Sequence, residues 1–303
     1  MTAVVTDKAG PAPSGSHVPL GRKQRRPADT LFHAALVACL VVAMVFLAAL
    51  IIYMVSKGWD RLDSRLINNF PSIRNPGNAG ARSAVLGSMW VIAGTAMICL
   101  PIGIATAIYL EEYANPARWY NRWLELNIQN LAAVPSIVFG ILGLGIIARG
   151  MDLGTTIITA SLTLALLVLP VVIIAAREAI RAVPGTIRQA SLALGATKWQ
   201  TVWKQVLPAA TPGIATGSIL ALSRAMGEAA PLLLLGGLTY VPFDPTGPNS
   251  QYTVLPIQIY GWTSQSREEF AHLAAAASVA LLILLIVMNS VAIFIRNRYS
   301  RRW

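Results

Sequence analysis

Arg224 and Glu228 are the two residues whose types and spacing point most directly to chemistry. Arg224 falls near the middle of an apolar run from Thr211 to Gly237, and Glu228 follows four positions later as the one acidic residue at comparable depth. An arginine at the centre of a membrane span costs about 2.5 to 3.5 kcal/mol on insertion scales, so it is expected to face protein or water. On a helix the two side chains would share a face, and an ion pair between them lowers the cost of both charges. One reading is therefore a pair that only locks helix packing. The other is an anion site, because a guanidinium offers a planar fork of donors matching two oxygens of a tetrahedral oxyanion and stays charged at any working pH. Glu228 would then discriminate: its carboxylate repels sulfate but accepts a hydrogen bond from the hydroxyl of a protonated phosphate. Ser223 stands beside Arg224 and could donate to the same anion or bond its own helix carbonyl.

The elements that must carry these residues follow from composition. The 303 residues are 55% apolar and 12% charged, roughly half the charged share of an ordinary soluble domain, which excludes a soluble enzyme. Apolar runs near Leu31 to Val55, Ala84 to Leu110, Leu131 to Ala148, Thr155 to Ala176, Thr211 to Gly237 and Phe270 to Ile295 predict an all-α polytopic membrane protein with six transmembrane helices. Six spans leave both termini on one side. That side carries sixteen Lys and Arg against seven on the other, which predicts cytoplasmic termini. The exception is the segment Ser56 to Ser83, with five basic residues beside Asp60 and Asp63. The net charge of +11 would suggest nucleic acid in a soluble chain but here is topological information.

The same reading divides the chain. Residues 1–30, rich in Gly, Pro and Ser and ending in Arg22 to Arg26, are expected to form a basic, disordered cytoplasmic tail. Residues 31–83 hold the first span and an extracytoplasmic segment; with no convincing small-residue cleavage site, that span is expected to remain uncleaved. Residues 84–295 form the main transmembrane domain, and 296–303 a basic cytoplasmic end. Pro101, Pro135, Pro170 and Pro231, with Gly140, Gly143 and Gly145, are expected to serve packing rather than chemistry. The outer stretch from Leu238 to Glu269 opens with turn signals and becomes apolar from Tyr252 to Trp262, which predicts a short interfacial helix or a contact with a partner.

Several chemistries lack their residues. Cys39 and Cys99 lie inside apolar runs, so no disulfide framework is expected, and His17, His33 and His272 are scattered without ligand spacing, so no metal site is expected. The chain has no Gly-Lys dipeptide and hence no phosphate loop, and neither G-x-S-x-G nor H-E-x-x-H. Energy must come from a partner subunit or an ion gradient.

A polar, basic segment over residues 177–209 has an internal pattern. Gln189 to Leu194 are good helix formers, Gly195 marks a bend, and Trp199, Val202, Trp203 and Val206 recur at helical spacing before Pro208, which is expected to close a second short helix. Such a knob, ringed by Arg188, Lys198 and Lys204, would lie in the lipid interface or enter a groove of a partner.

Gln189 to Gly195, nine residues, then Gln205-Val206-Leu207-Pro208 resembles the E-A-A-x3-G-x9-I-x-L-P motif of ABC-importer permeases. Ala190, Gly195, Leu207 and Pro208 match, whereas Gln189, Ser191 and Gln205 replace the acidic residue, the second alanine and the isoleucine. Four further stretches, Ser191 to Trp199, Ser223 to Leu234, Val134 to Gly140 and Pro256 to Trp262, are similar to the PstA-type permeases of bacterial phosphate ABC importers. The resemblance covers Ala84 to Ile295.

It implies a MetI-like permease of a type I ABC importer in the bacterial plasma membrane. A PstC-like second permease, two ATPase subunits that bind ATP and Mg, and an extracytoplasmic phosphate-binding protein would be its partners, with no cofactor, catalytic residue or nucleic acid on this chain. Gln189, Ala190, Ser191, Gly195, Trp199, Leu207 and Pro208 would couple to the ATPase, and Arg224, Glu228 and Ser223 would line the pathway for inorganic phosphate. Other readings are a permease for sulfate or molybdate, a proton-coupled carrier titrating Glu228, and a scaffold whose ion pair only fixes packing.

Overall fold

The structure, a computed structural model, describes residues 27–237 and 240–299; the expected basic tail up to residue 26 and the last residues, 300–303, lie outside the described residues. The chain divides into two units, one ending at Leu50 and one running from Ile51. The described part of the first belongs to α1 (Pro27–Gly58), which is apolar on every side, as a membrane span requires.

The second unit continues through α2 (Ser64–Asn68), α3 (Arg82–Ile108), α4 (Trp119–Ala132), α5 (Ser136–Leu142), α6 (Ile157–Arg181), α7 (Gly185–Ala193), α8 (Lys198–Thr201), α9 (Leu207–Met226), α10 (Ala230–Leu234), α11 (Leu255–Thr263) and α12 (Glu268–Tyr299). Helix α6 is central, with Ala165, Leu167, Val168 and Val172 buried in one cluster with residues of α3, α5 and α9. Without a hydrophobic drive between helices in lipid, close approach rests on small residues and hydroxyls. Gly94 accordingly faces Ser161, Gly103 faces Val172, and Ser161 Oγ donates across to Val91 O at 3.2 Å.

Among the described residues five helices are long and apolar enough to cross a membrane, or six if one bent pair counts as a span. The bent pair corrects the expected continuous third span. Helix α4 stops at Ala132, and the chain resumes over Ser136–Gly150 at 103° to it, as α5 followed by a wide, π-type turn. Pro135 explains the corner, since it has no N–H to continue the ladder and pushes the residue before it out of helical geometry. The glycines of this stretch are unequal. A Cβ at Gly140 would come within 2.7 Å of the Pro231 backbone, one at Gly143 would overlap Thr163, and Gly145 is open. Gly140→Leu is therefore expected to destabilise the protein by about 1 to 3 kcal/mol, and Gly145→Ala to leave the detergent-solubilised melting temperature nearly unchanged. Equal melting temperatures for the two variants would remove the packing role of Gly140.

Arginines of the unusually basic stretch from Ser56 to Ser83 are bonded within the protein. Arg61 donates to the carbonyls of Pro76, Gly77 and Ala79 at 2.7 to 3.0 Å, and Arg82 forks onto Asp244 at 3.0 and 2.5 Å. The apolar stretch from Tyr252 forms α11, and one antiparallel bridge, Thr156 to Gln251, ties it to the start of α6.

Candidate functional site

The run containing Arg224 is not one helix. Ala225 and Met226 are buried in the core, Gly227 ends α9, and Glu228 and Ala229 are irregular before Pro231 opens α10 in its first turn. Arg224 therefore sits in the last turn of α9 rather than at mid-span, where unsatisfied carbonyls and the helix dipole favour a cation. Helix α10 is held by Gly140 against Pro231 and by the buried Tyr252 phenol, which donates to Leu232 O at 3.3 Å. Burial pushes that phenol above the usual tyrosine range.

The break brings the expected pair together across it. Arg224 Nε lies 3.5 Å from Glu228 Oε1, with the arginine side chain 61% exposed and the glutamate 18%. This is an ion pair longer than an ordinary hydrogen bond. Among the described residues neither side chain has another hydrogen bond or ion pair, so most of the guanidinium's donors remain open to a ligand. Ser223 points elsewhere: its Oγ lies 2.7 Å from Ile219 O and 2.5 Å from Asn289 Oδ1 of α12. The structure thus gathers Arg224 and Glu228 and turns Ser223 to a neighbouring helix.

The second candidate region is the segment from α7 to α9. Helix α7 ends in a Schellman turn, with Gly195 N donating to Leu192 O and Ala196 N to Ser191 O, and Gly195 takes φ +83°, which favours glycine. Thr197 then caps α8 in a reciprocal capping box with Gln200. Pro208 does not close a second short helix, as the motif suggests. The chain runs from Lys198 to Met226 as one span, through a π-type turn at Val202–Val206 whose wider geometry accommodates the proline ring at the start of α9. The apolar stripe splits accordingly. Val202 and Val206 are buried, while Trp199 and Trp203 stack outside with centroids 5.5 Å apart. Gln189, Ala190, Gly195 and Trp199 are exposed, Leu194 is 89% exposed at the tip, and Ser191 is tied to Thr201 at 2.9 Å. Leu207 and Pro208 are half-buried at the base.

Sequence reasoning missed the acidic residues that hold this region. Glu111 accepts a fork from Arg181 at 3.0 Å and faces Arg177, which also reaches Glu125 at 2.9 Å. Glu112 accepts Arg188 Nε and Nη2 at 2.9 and 2.7 Å. Arg188 also donates to Val183 O and Ile180 O. The only signal was two adjacent glutamates at the end of an apolar run.

The chain matches the family described as binding-protein-dependent transport system inner membrane component over residues 99–303. It is 31% identical over 279 residues to the probable ABC transporter permease protein YqgI of Bacillus subtilis, covering 88% of this chain and 94% of that protein. It is also 31% identical over 275 residues to the phosphate transport system permease protein PstA 1 of Mycobacterium tuberculosis, covering 86% of each. Among solved structures, a chain of a bacterial alginate ABC transporter in complex with its alginate-bound periplasmic protein matches in fold with a TM-score of 0.66 and 15% identity, over 91% of this chain and 96% of that one. A chain of the inward-facing MetNI methionine transporter matches with a TM-score of 0.59 and 20% identity, over 72% and 97%.

Proposed function

Since this chain belongs to the binding-protein-dependent inner membrane component family and is an ABC importer permease without a catalytic role of its own, we propose that it imports inorganic phosphate. The carrying observation is the Arg224 guanidinium, whose sole partner among the described residues is Glu228 at 3.5 Å. It can fork onto a phosphate while Glu228 accepts a hydrogen bond from that phosphate's hydroxyl. The PstA relatives, phosphate permeases by name, favour the same ligand. A PstC-like second permease would complete the pathway, an extracytoplasmic phosphate-binding protein would deliver the anion, and both termini would be cytoplasmic in the bacterial plasma membrane. Two ATPase subunits would receive the exposed tip around Leu194 and Gly195. Glu228 holds Arg224 when the pathway is empty, so no lone charge remains.

The test is ATP-dependent uptake of phosphate and sulfate by the reconstituted complex. Arg224→Gln is expected to lower phosphate uptake by about ten- to a hundred-fold, the worth of charge-assisted hydrogen bonds, with assembly preserved. Glu228→Gln is expected to admit sulfate. Parental uptake in both variants would leave the pair with a packing role and overturn the assignment.

A further inference from the structure

Between Ala274 and Ile295, helix α12 is apolar apart from Ser278, Asn289 and Ser290. A carboxamide in such a segment is costly without a partner, and Asn289 meets Ser223 Oγ of α9 at 2.5 Å. Two turns further along, Arg296 Nη1 donates to Thr216 Oγ1 at 2.8 Å. The two contacts are seven residues apart on each helix, with the order reversed, so they lie on one seam between antiparallel helices. Packing beside the seam is incomplete. An apolar groove of about 620 Å³ opens there between α3, α9 and α12, lined among others by Leu100, Ile104, Ile219, Leu222 and Ala292. Helix α9 packs closely on α6 along its other face, where Gly213 and Gly217 lie against Ala179 and Ala175, so the two polar contacts are what tie its groove side to α12.

We propose that Asn289 is a positioning residue for the anion site, holding Ser223 so that the last turn of α9 presents Arg224 to Glu228. Neighbouring helical residues differ by about 100° in azimuth. Fixing Ser223 toward α12 therefore fixes Arg224 a quarter turn away, on the side to which Glu228 returns after the break. Thr216 and Arg296 make the second contact at the other end of the seam. The proposal rests on the pathway reading given above for what Arg224 does, but the rotation it describes is measurable without substrate.

In the full complex with Cys39 and Cys99 replaced by serine and alanine, Arg224→Cys provides a thiol whose reaction rate with a charged methanethiosulfonate reports its orientation. Asn289→Leu is expected to change that rate by about three- to eighteen-fold, the range from the average to the strongest interhelical hydrogen bond in membranes. Ser223→Ala, which removes the same contact from the other helix, is expected to give a change of the same sign, and the exchange Ser223→Asn with Asn289→Ser to return the parental rate. With arginine retained at 224, Asn289→Leu is expected to raise the phosphate concentration for half-maximal uptake by a similar factor, and to have no further effect in an Arg224→Gln complex. An unchanged thiol rate in both Asn289→Leu and Ser223→Ala overturns the positioning role. A changed rate combined with parental uptake in Arg224→Gln upholds the positioning role and overturns the pathway reading instead.

Discussion

Gly195→Trp is expected to leave membrane insertion and assembly intact and to abolish stimulation of the partner ATPase by loaded binding protein. Beyond the adjoining residues no atom lies within 4 Å of the position a Cβ would take at Gly195, so a new side chain starts from open space. The residue's φ of +83° adds a local cost of about 1 to 2 kcal/mol for a non-glycine side chain, confined to a turn at the exposed tip. A tryptophan there would stand where the proposed ATPase groove must close. Gly195→Asn provides the control, because asparagine tolerates the left-handed conformation and adds little bulk; stimulation is expected to survive in it. ATP hydrolysis measured with and without loaded binding protein separates the two variants. Parental stimulation in Gly195→Trp would take the tip out of the coupling path.

The second large effect concerns Glu112. Its carboxylate, 8% exposed, is the partner of Arg188, which reaches back from α7 to the Val183 and Ile180 carbonyls as well. Removing one member of a buried pair leaves the other charge uncompensated, at a cost of about 3 to 5 kcal/mol. Glu112→Ala is therefore expected to lower the melting temperature sharply and to release α7, read as faster proteolysis between Arg181 and Lys198. Replacing both members, Glu112→Met with Arg188→Met, is expected to recover most of that loss, since a well-packed apolar pair often matches a buried ion pair. Recovery stays incomplete because two carbonyl contacts go with the arginine. A double variant as unstable as Glu112→Ala alone would mean that Arg188 acts through those carbonyls and not through the pair.

Most of the spans were legible because hydropathy reports length and apolarity, which α1, α3, α6 and α12 have without interruption. The turn at Gly195 was legible because its determinant is local, a glycine at the end of a run of helix formers. What hydropathy does not report is continuity. The residues from Ala229 to Gly237 are as apolar as a span, so the break at Gly227 was hidden and Arg224 was read at mid-helix. Pro135 was read as loosening the third span, but a lone proline does not report the size of the bend, here 103°. The glutamates were missed for a different reason. Glu111 and Glu112 meet arginines 70 and 76 positions later, and no periodicity links residues so far apart. For the pair itself, the i,i+4 spacing led to the right neighbours although the helix that justified it ends between them.

The π-type turn at Val202–Val206 has a consequence for how the tip and the span are registered. Such a turn amounts to one residue more than an α-helix needs. Deleting a single residue there would restore a regular helix and turn the short helix just before it, with Trp199, by about 100° about the axis relative to Leu207 and the residues after it. The heading of that short helix is thus written in chain length, as a count of residues, and a one-codon deletion would redirect it without altering a single side chain at its surface.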